Sequence, residues 1–135
     1  MEFSALSDYV NQDIVNSFRI VWDHLGRPGA WWTGPQRIAI AEHVRKSAPR
    51  PLWDRPPPLE TLSDEANGEL TIFEAAVVER VAVSPSSINI ETYEHIIQRM
   101  GENKYAELAA VISQIVPIDH LHDALGLERE ELPVP

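Results

Sequence analysis

The chain has 135 residues, a formal net charge of -10, 44% hydrophobic and 24% charged residues, and no cysteine. This is one domain's worth of chain, long enough to bury a core without metal or disulfide staples, and the missing thiols exclude disulfides, thiolate metal sites and cysteine nucleophiles. An acidic chain whose eleven Lys and Arg residues are scattered repels phosphate backbones, so nucleic acid is not an expected partner.

No apolar run approaches the ~20 residues of a membrane span, and the opening "MEFSALSDYV" is unlike a signal peptide. A cytoplasmic protein without a membrane partner is the expectation. In chain order, Val10, Ile14, Phe18, Val21 and Leu25 repeat at three and four residues, which predicts a helix over about 8–25, capped by Ser7 and stopped by Gly26 and Pro28. Trp31 and Trp32 follow at a corner, where such residues more often plug a core or an interface than stack on a ligand. All four tryptophans lie within the first 53 residues, and an aromatic cluster is expected there. Thr33 is a natural N-cap for a second helix with Pro35 in its first turn. Ile40, Ala41, Val44 and Ala48 share a face, and Pro49 closes the helix.

Residues 49–68 form a long Pro-rich connection, stiffened by Pro56, Pro57 and Pro58, with room for a short helical turn near 61–67. Helical periodicity resumes with Phe73, Val77 and Val81 and ends at Pro85. A fourth helix, capped by Asn89 and stopped by Gly101, carries Ile90, Tyr93, Ile97 and Met100 on one face, with His95 opposite. The last helix shows a stripe of Tyr105, Leu108, Ala109, Ile112 and Val116, with a kink expected at Pro117 and a stop at Gly126. No strand alternation appears. The pattern is that of a single all-α domain, 1–135, of about five helices.

Two charges break the apolar stripes. At ~100° per residue, Arg37 falls among Ile40, Ala41 and Val44, and Asp119 shares a face with Tyr105, Leu108, Ile112 and Val116. Neither is expected to be buried alone. Because both face inward from the two best-patterned helices, Arg37 and Asp119 are expected to lie near each other, as a structural ion pair or as the polar wall of a binding pocket. Glu42, at the rim of the second helix, is the nearest carboxylate for proton transfer, with His43 beside it. "DHLHD" at 119–123 does not read as a metal site. His120 and His122 are ~200° apart on a helix, and Asp119, His122 and Asp123 lack a fourth partner. No metal and no cofactor are expected.

The stretch "WWTGPQRIAIAEHVR" resembles a segment of the alkylhydroperoxidase-like proteins, the superfamily shared with carboxymuconolactone decarboxylase. The nearest branch is the alkylhydroperoxidase-related one, in which some members carry selenocysteine. The later pattern, from "FEAAVVERVAVSPSSINIETYEHIIQRMG" through the long helix ending Ala-Leu-Gly to the tail "LPVP", is similar as well. The resemblance covers about 30–135 and implies an alkylhydroperoxidase-like helical fold assembled as a trimer or hexamer. The alanine-rich faces at Ala75, Ala76, Ala106, Ala109 and Ala110 would allow close helix contact. Counted without gaps from Trp-Thr-Gly, the family's paired redox positions fall on Arg50 and Trp53 in "RPLW". Neither residue can attack or resolve a peroxide. The resemblance therefore implies a non-redox member, structural or small-molecule-binding, in which Arg50 and Trp53 pack where the thiols would stand. Two alternatives stay open. One is a cofactor-free enzyme of the carboxymuconolactone decarboxylase type, with Arg37 or Arg50 anchoring an acidic lactone and Glu42 or His43 moving protons. The other is a peroxidase-related oxidoreductase using thiols supplied by a partner.

Overall fold

The computed structural model describes every residue except 1, 2, 50, 52 and 55. Among the described residues there are five α-helices: α1 (Gln12–Leu25), α2 (Gly34–Lys46), α3 (Ile72–Val83), α4 (Ile90–Met100) and α5 (Glu102–Ala124). Three single 3-10 turns, Leu6–Asp8, Leu59–Thr61 and Pro85–Ser87, punctuate the connections. Strands β1 (Ala66–Asn67) and β2 (Leu70–Thr71) form a two-rung antiparallel hairpin around Gly68, whose φ of 74° suits a residue without Cβ. The fold is all-α, as the periodicity requires.

Most helix ends follow from their caps. Thr33 and Gln36 form a reciprocal capping box on α2, and Thr71 and Glu74 form another on α3. The Asn89 side chain accepts from Thr92 N at 2.8 Å and starts α4. Gly101, at φ 90°, turns the chain directly from α4 into α5. The first helix departs from expectation. Ser7 donates its hydroxyl to Phe3 O instead of capping a helix. The chain makes a 3-10 turn at 6–8, and α1 begins only after Asn11, whose side chain accepts from Asp13 N at 2.7 Å.

α5 is the central post. It contacts each of the other four helices and buries Leu108, Val111, Ile112, Ile115 and Ile118. At 1.5 Å per residue it spans roughly 35 Å, and it continues through Pro117 as one helix. α2 contributes Ile40 and Ala41, α3 contributes Phe73, Val77 and Val78, and α4 contributes Ile96. On α1 the buried stripe is Val15, Trp22 and Leu25, with Phe18 half-buried, while Ile14 is exposed. That face is rotated from the one beginning at Val10, because Trp22 outweighs its aliphatic neighbours in apolar area. On α4, Ile90 is exposed and His95 packs edge-on against Phe73 at 6.0 Å.

The expected tryptophan cluster does not form. Trp22 meets Phe3 edge-to-face at 5.3 Å, and Trp32 is buried under the Lys104 ammonium at 4.4 Å. Trp31 is exposed, and Trp53 is 86% exposed. The two buried indoles are held by their polar edges. Trp22 Nε1 donates to Glu131 O at 2.7 Å, and Trp32 Nε1 donates to Lys104 O at 2.9 Å. The corner before α2 wraps a carboxylate: Trp31 N and Trp32 N both donate to Glu107, at 3.1 and 3.0 Å. Beyond α5 the chain turns back at Gly126, φ 68°, and residues 127–135 lie along α1 and the start of α2. There Leu127 and Leu132 pack on the core, and Pro135 approaches Gly26 and Gly34.

Candidate functional site

The C-terminal ends of α2 and α3, the last turns of α5 and the returning tail leave a cleft of about 310 Å³ between them. Its apolar wall includes Val44, Ala82, Val83 and Val116, and its polar wall includes Arg45, Asp119, His120 and Arg129. The floor is an ion pair. Arg45 Nε donates to Asp119 Oδ2 and Arg45 Nη2 to Asp119 Oδ1, both at 2.9 Å, in a two-pronged geometry. The Asp119 side chain is 5% exposed and that of Arg45 19%. Arg45 also lies 5.7 Å from the Trp22 ring centroid, so one guanidinium joins the cleft to the α1 core.

Arg129 forms the other cationic wall. Its Nε and Nη2 donate to Asp123 Oδ1 and Oδ2 at 3.0 and 2.6 Å, while Nη1 stands 3.7 Å from Asp119 Oδ2. The hydrogen bonds from Arg129 hold the Asp123 carboxyl below its ordinary value, and the Asp123 carboxylate raises Arg129 in return.

The two histidines of "DHLHD" point to different places, as their angular separation requires. His120 is exposed and reaches the cleft. His122 is buried, its ring 5.8 Å from Phe3. Its Nδ1 is 2.8 Å from Ile118 O, a contact that places the proton on Nδ1. Its Nε2 has no hydrogen-bond partner and lies 3.9 Å from Glu130 Oε1, which accepts from Phe3 N.

Of the candidate catalytic and binding residues expected from the sequence, only Asp119 belongs to this cleft. Arg37 is not its partner: Arg37 Nη1 donates to Arg27 O at 3.2 Å, at the opposite end of α2 from Arg45. The two arginines are eight residues apart, roughly 12 Å along the axis. Glu42 is exposed and His43 half-buried. Both border an open depression with Lys46 and the tip of the β1–β2 hairpin, away from Asp119. Trp53 is out in solvent, and Arg50 lies outside the described residues. The residues that sequence reasoning missed are Arg45 and Arg129, while His120, weighed there as a metal ligand and set aside, lines the cleft. Arg45 had a signal, since a buried aspartate demands a cation and Arg45 follows Arg37 around the same helix. Arg129 had none, because only the reversal at Gly126 brings it back over α5.

No protein-family model, no curated protein and no solved structure matches the chain.

Proposed function

We propose that this protein is a cysteine-less, non-redox member of the alkylhydroperoxidase-like proteins that binds a small molecule in the Arg45–Asp119–Arg129 cleft and acts as a homo-oligomer. The observation that carries the reading is the position of the Arg45–Asp119 pair. Its carboxylate is 5% exposed, yet the pair floors a cavity that opens outward. Here two guanidinium groups and an imidazole converge on a recess with an apolar opposite wall, the composition common to ligand pockets. The volume sits at the small end of such pockets.

The family reading is supported by the residue patterns of "WWTGPQRIAIAEHVR" and the "LPVP" tail together with the all-α architecture. Thiol chemistry is unavailable to a chain without cysteine, so the reading is a non-redox one. The homo-oligomeric part rests on what the resemblance implies.

The test is a thermal-shift screen of the purified protein against small carboxylates, lactones, quinones and hydroperoxides, since a ligand that binds only the native state raises the melting temperature. A hit that disappears when the cleft is filled by Ala82→Leu supports the reading. A well-folded sample that responds to nothing would sink it. Light scattering on the eluting peak reports the assembly, and a monomer at micromolar concentration removes the oligomeric part.

A further inference from the structure

We infer that the cleft takes a compact organic anion, a monocarboxylate with a short apolar body, whose carboxylate is held between Arg45 and Arg129. This rests on the binding role proposed above and names its ligand class. The argument is a count of donors and acceptors. A guanidinium carries five N–H groups. Arg45 gives two of them to Asp119, and Arg129 gives two to Asp123. Three remain on each, and the Nη1 of Arg129, at 3.7 Å, is too far from Asp119 for a hydrogen bond.

The acceptor side is smaller. Asp119 is the carboxylate that lines the cleft, and each of its oxygens already accepts from Arg45, which leaves one lone pair on each. Ser47 Oγ, also in the wall, donates its proton to His43 O at 2.8 Å and can otherwise only accept. The cleft therefore offers more N–H groups, set in two planar forks, than acceptors. A cationic ligand would meet two arginines and a carboxylate that is already paired, and a neutral amide would bring one oxygen where two donors wait. A carboxylate brings two oxygens in the planar arrangement that guanidinium groups match.

Size and apolar lining fix the rest of the ligand. A water occupies about 30 Å³ of liquid volume, so 310 Å³ admits roughly ten non-hydrogen atoms. Val44, Ala82, Val83 and Val116 supply an apolar wall for the body of such a molecule. The local charge balances, Arg45 and Arg129 against Asp119 and Asp123, so the anion is held by the remaining N–H groups and not by a net positive field.

The experiment is calorimetric titration of the full chain with benzoate, hexanoate, benzamide and benzylamine. The expected result is binding of benzoate and hexanoate, with benzamide and benzylamine weaker by at least tenfold. Arg129→Gln should weaken benzoate by roughly ten- to a hundredfold, the range of a charge-assisted hydrogen bond. This variant leaves Asp119 with Arg45 and frees Asp123, which is already half exposed. Ala82→Leu, which removes volume without touching a charge, should abolish binding and serves where the arginine variant proves unfolded by circular dichroism. Equal binding of benzoate and benzamide, or tighter binding of benzylamine, overturns the anion assignment while leaving a ligand-binding cleft. Benzoate bound equally well by wild type and both variants places the ligand elsewhere and overturns it too. No binding of any of the four overturns the anion assignment. The binding role itself falls if the wider screen of lactones, quinones and hydroperoxides is also blank.

Discussion

Replacing Arg45 by Met would leave the Asp119 carboxylate buried without its two-pronged partner. The nearest remaining cation is Arg129 Nη1 at 3.7 Å, a guanidinium already committed to Asp123. Breaking a buried pair by removing one member costs about 3–5 kcal/mol, because the other charge stays desolvated. Arg45 keeps 19% of its side chain in solvent, and Arg129 can swing closer, so roughly 2–4 kcal/mol is the expected loss. For a chain of this length that lowers the melting temperature by on the order of 10 °C. Adding Asp119→Leu to Arg45→Met removes the orphaned charge and should recover most of the loss, since apolar replacement of a buried pair is commonly neutral or better. Urea denaturation of the wild type, both single variants and the double variant closes the cycle. The reasoning fails if Arg45→Met costs under about 1 kcal/mol, the worth of an exposed pair, or if the two single losses simply add.

Four further outcomes follow from contacts elsewhere in the fold. Glu107→Ala should cost roughly 2–4 kcal/mol by stripping the acceptor from Trp31 N and Trp32 N. Gly29→Ala should also destabilise, because a Cβ there would strike the Glu107 carboxylate, and in urea denaturation the double variant should lose less than the sum. Trp22→Phe keeps a six-membered ring but loses the pyrrole edge and its donor to Glu131 O. It should cost about 2–4 kcal/mol, the lost bond and the cavity together, and speed tryptic cleavage after Arg129, and an unchanged cleavage rate would mean that this contact does not hold the tail. Tyr105 is raised above its ordinary 10.0 by burial first and by the charge of Tyr93 second. A raised folded value means that the neutral phenol's contribution is complete below pH 10 and is lost as pH climbs through the folded value. Tyr105→Phe should therefore flatten the alkaline limb of the melting curve and leave the neutral range alone.

The helices were legible because their signals are local. Thr33 and Asn89 sit where an N-cap must, Gly101 where a chain must reverse, and Asp119 on the face its helix buries. What stayed hidden was axial and tertiary. A helical projection gives the angle of Arg37 and Arg45 but not their height against α5, so the charge at the wrong end of the helix was matched to Asp119. The α1 face was misread because the aliphatic repeat from Val10 is regular, while the packing is decided by Trp22 and the tail that meets it. The tryptophans look clustered along the chain, yet Trp22 and Trp32 are each fixed by a separate carbonyl acceptor, from Glu131 and from Lys104. The cleft needed Arg129, and nothing in its neighbours announces that Gly126 returns it over α5.

The returning tail also orders events in time. Phe3 N meets Glu130, and Trp22 closes on Glu131, so the inner wall of the first helix is built from residues synthesised more than a hundred positions later. During synthesis α2 to α5 can assemble among themselves as they emerge, but the side of Trp22 and Phe3 that meets Glu130 and Glu131 stays uncovered until residues 127–135 leave the ribosome. At 5–20 residues per second, the sequence between Trp22 and Glu131 leaves a hydrophobic face open for roughly 5–20 s. That interval is the span in which a nascent-chain chaperone, or a second copy on the same message, would find this protein unfinished.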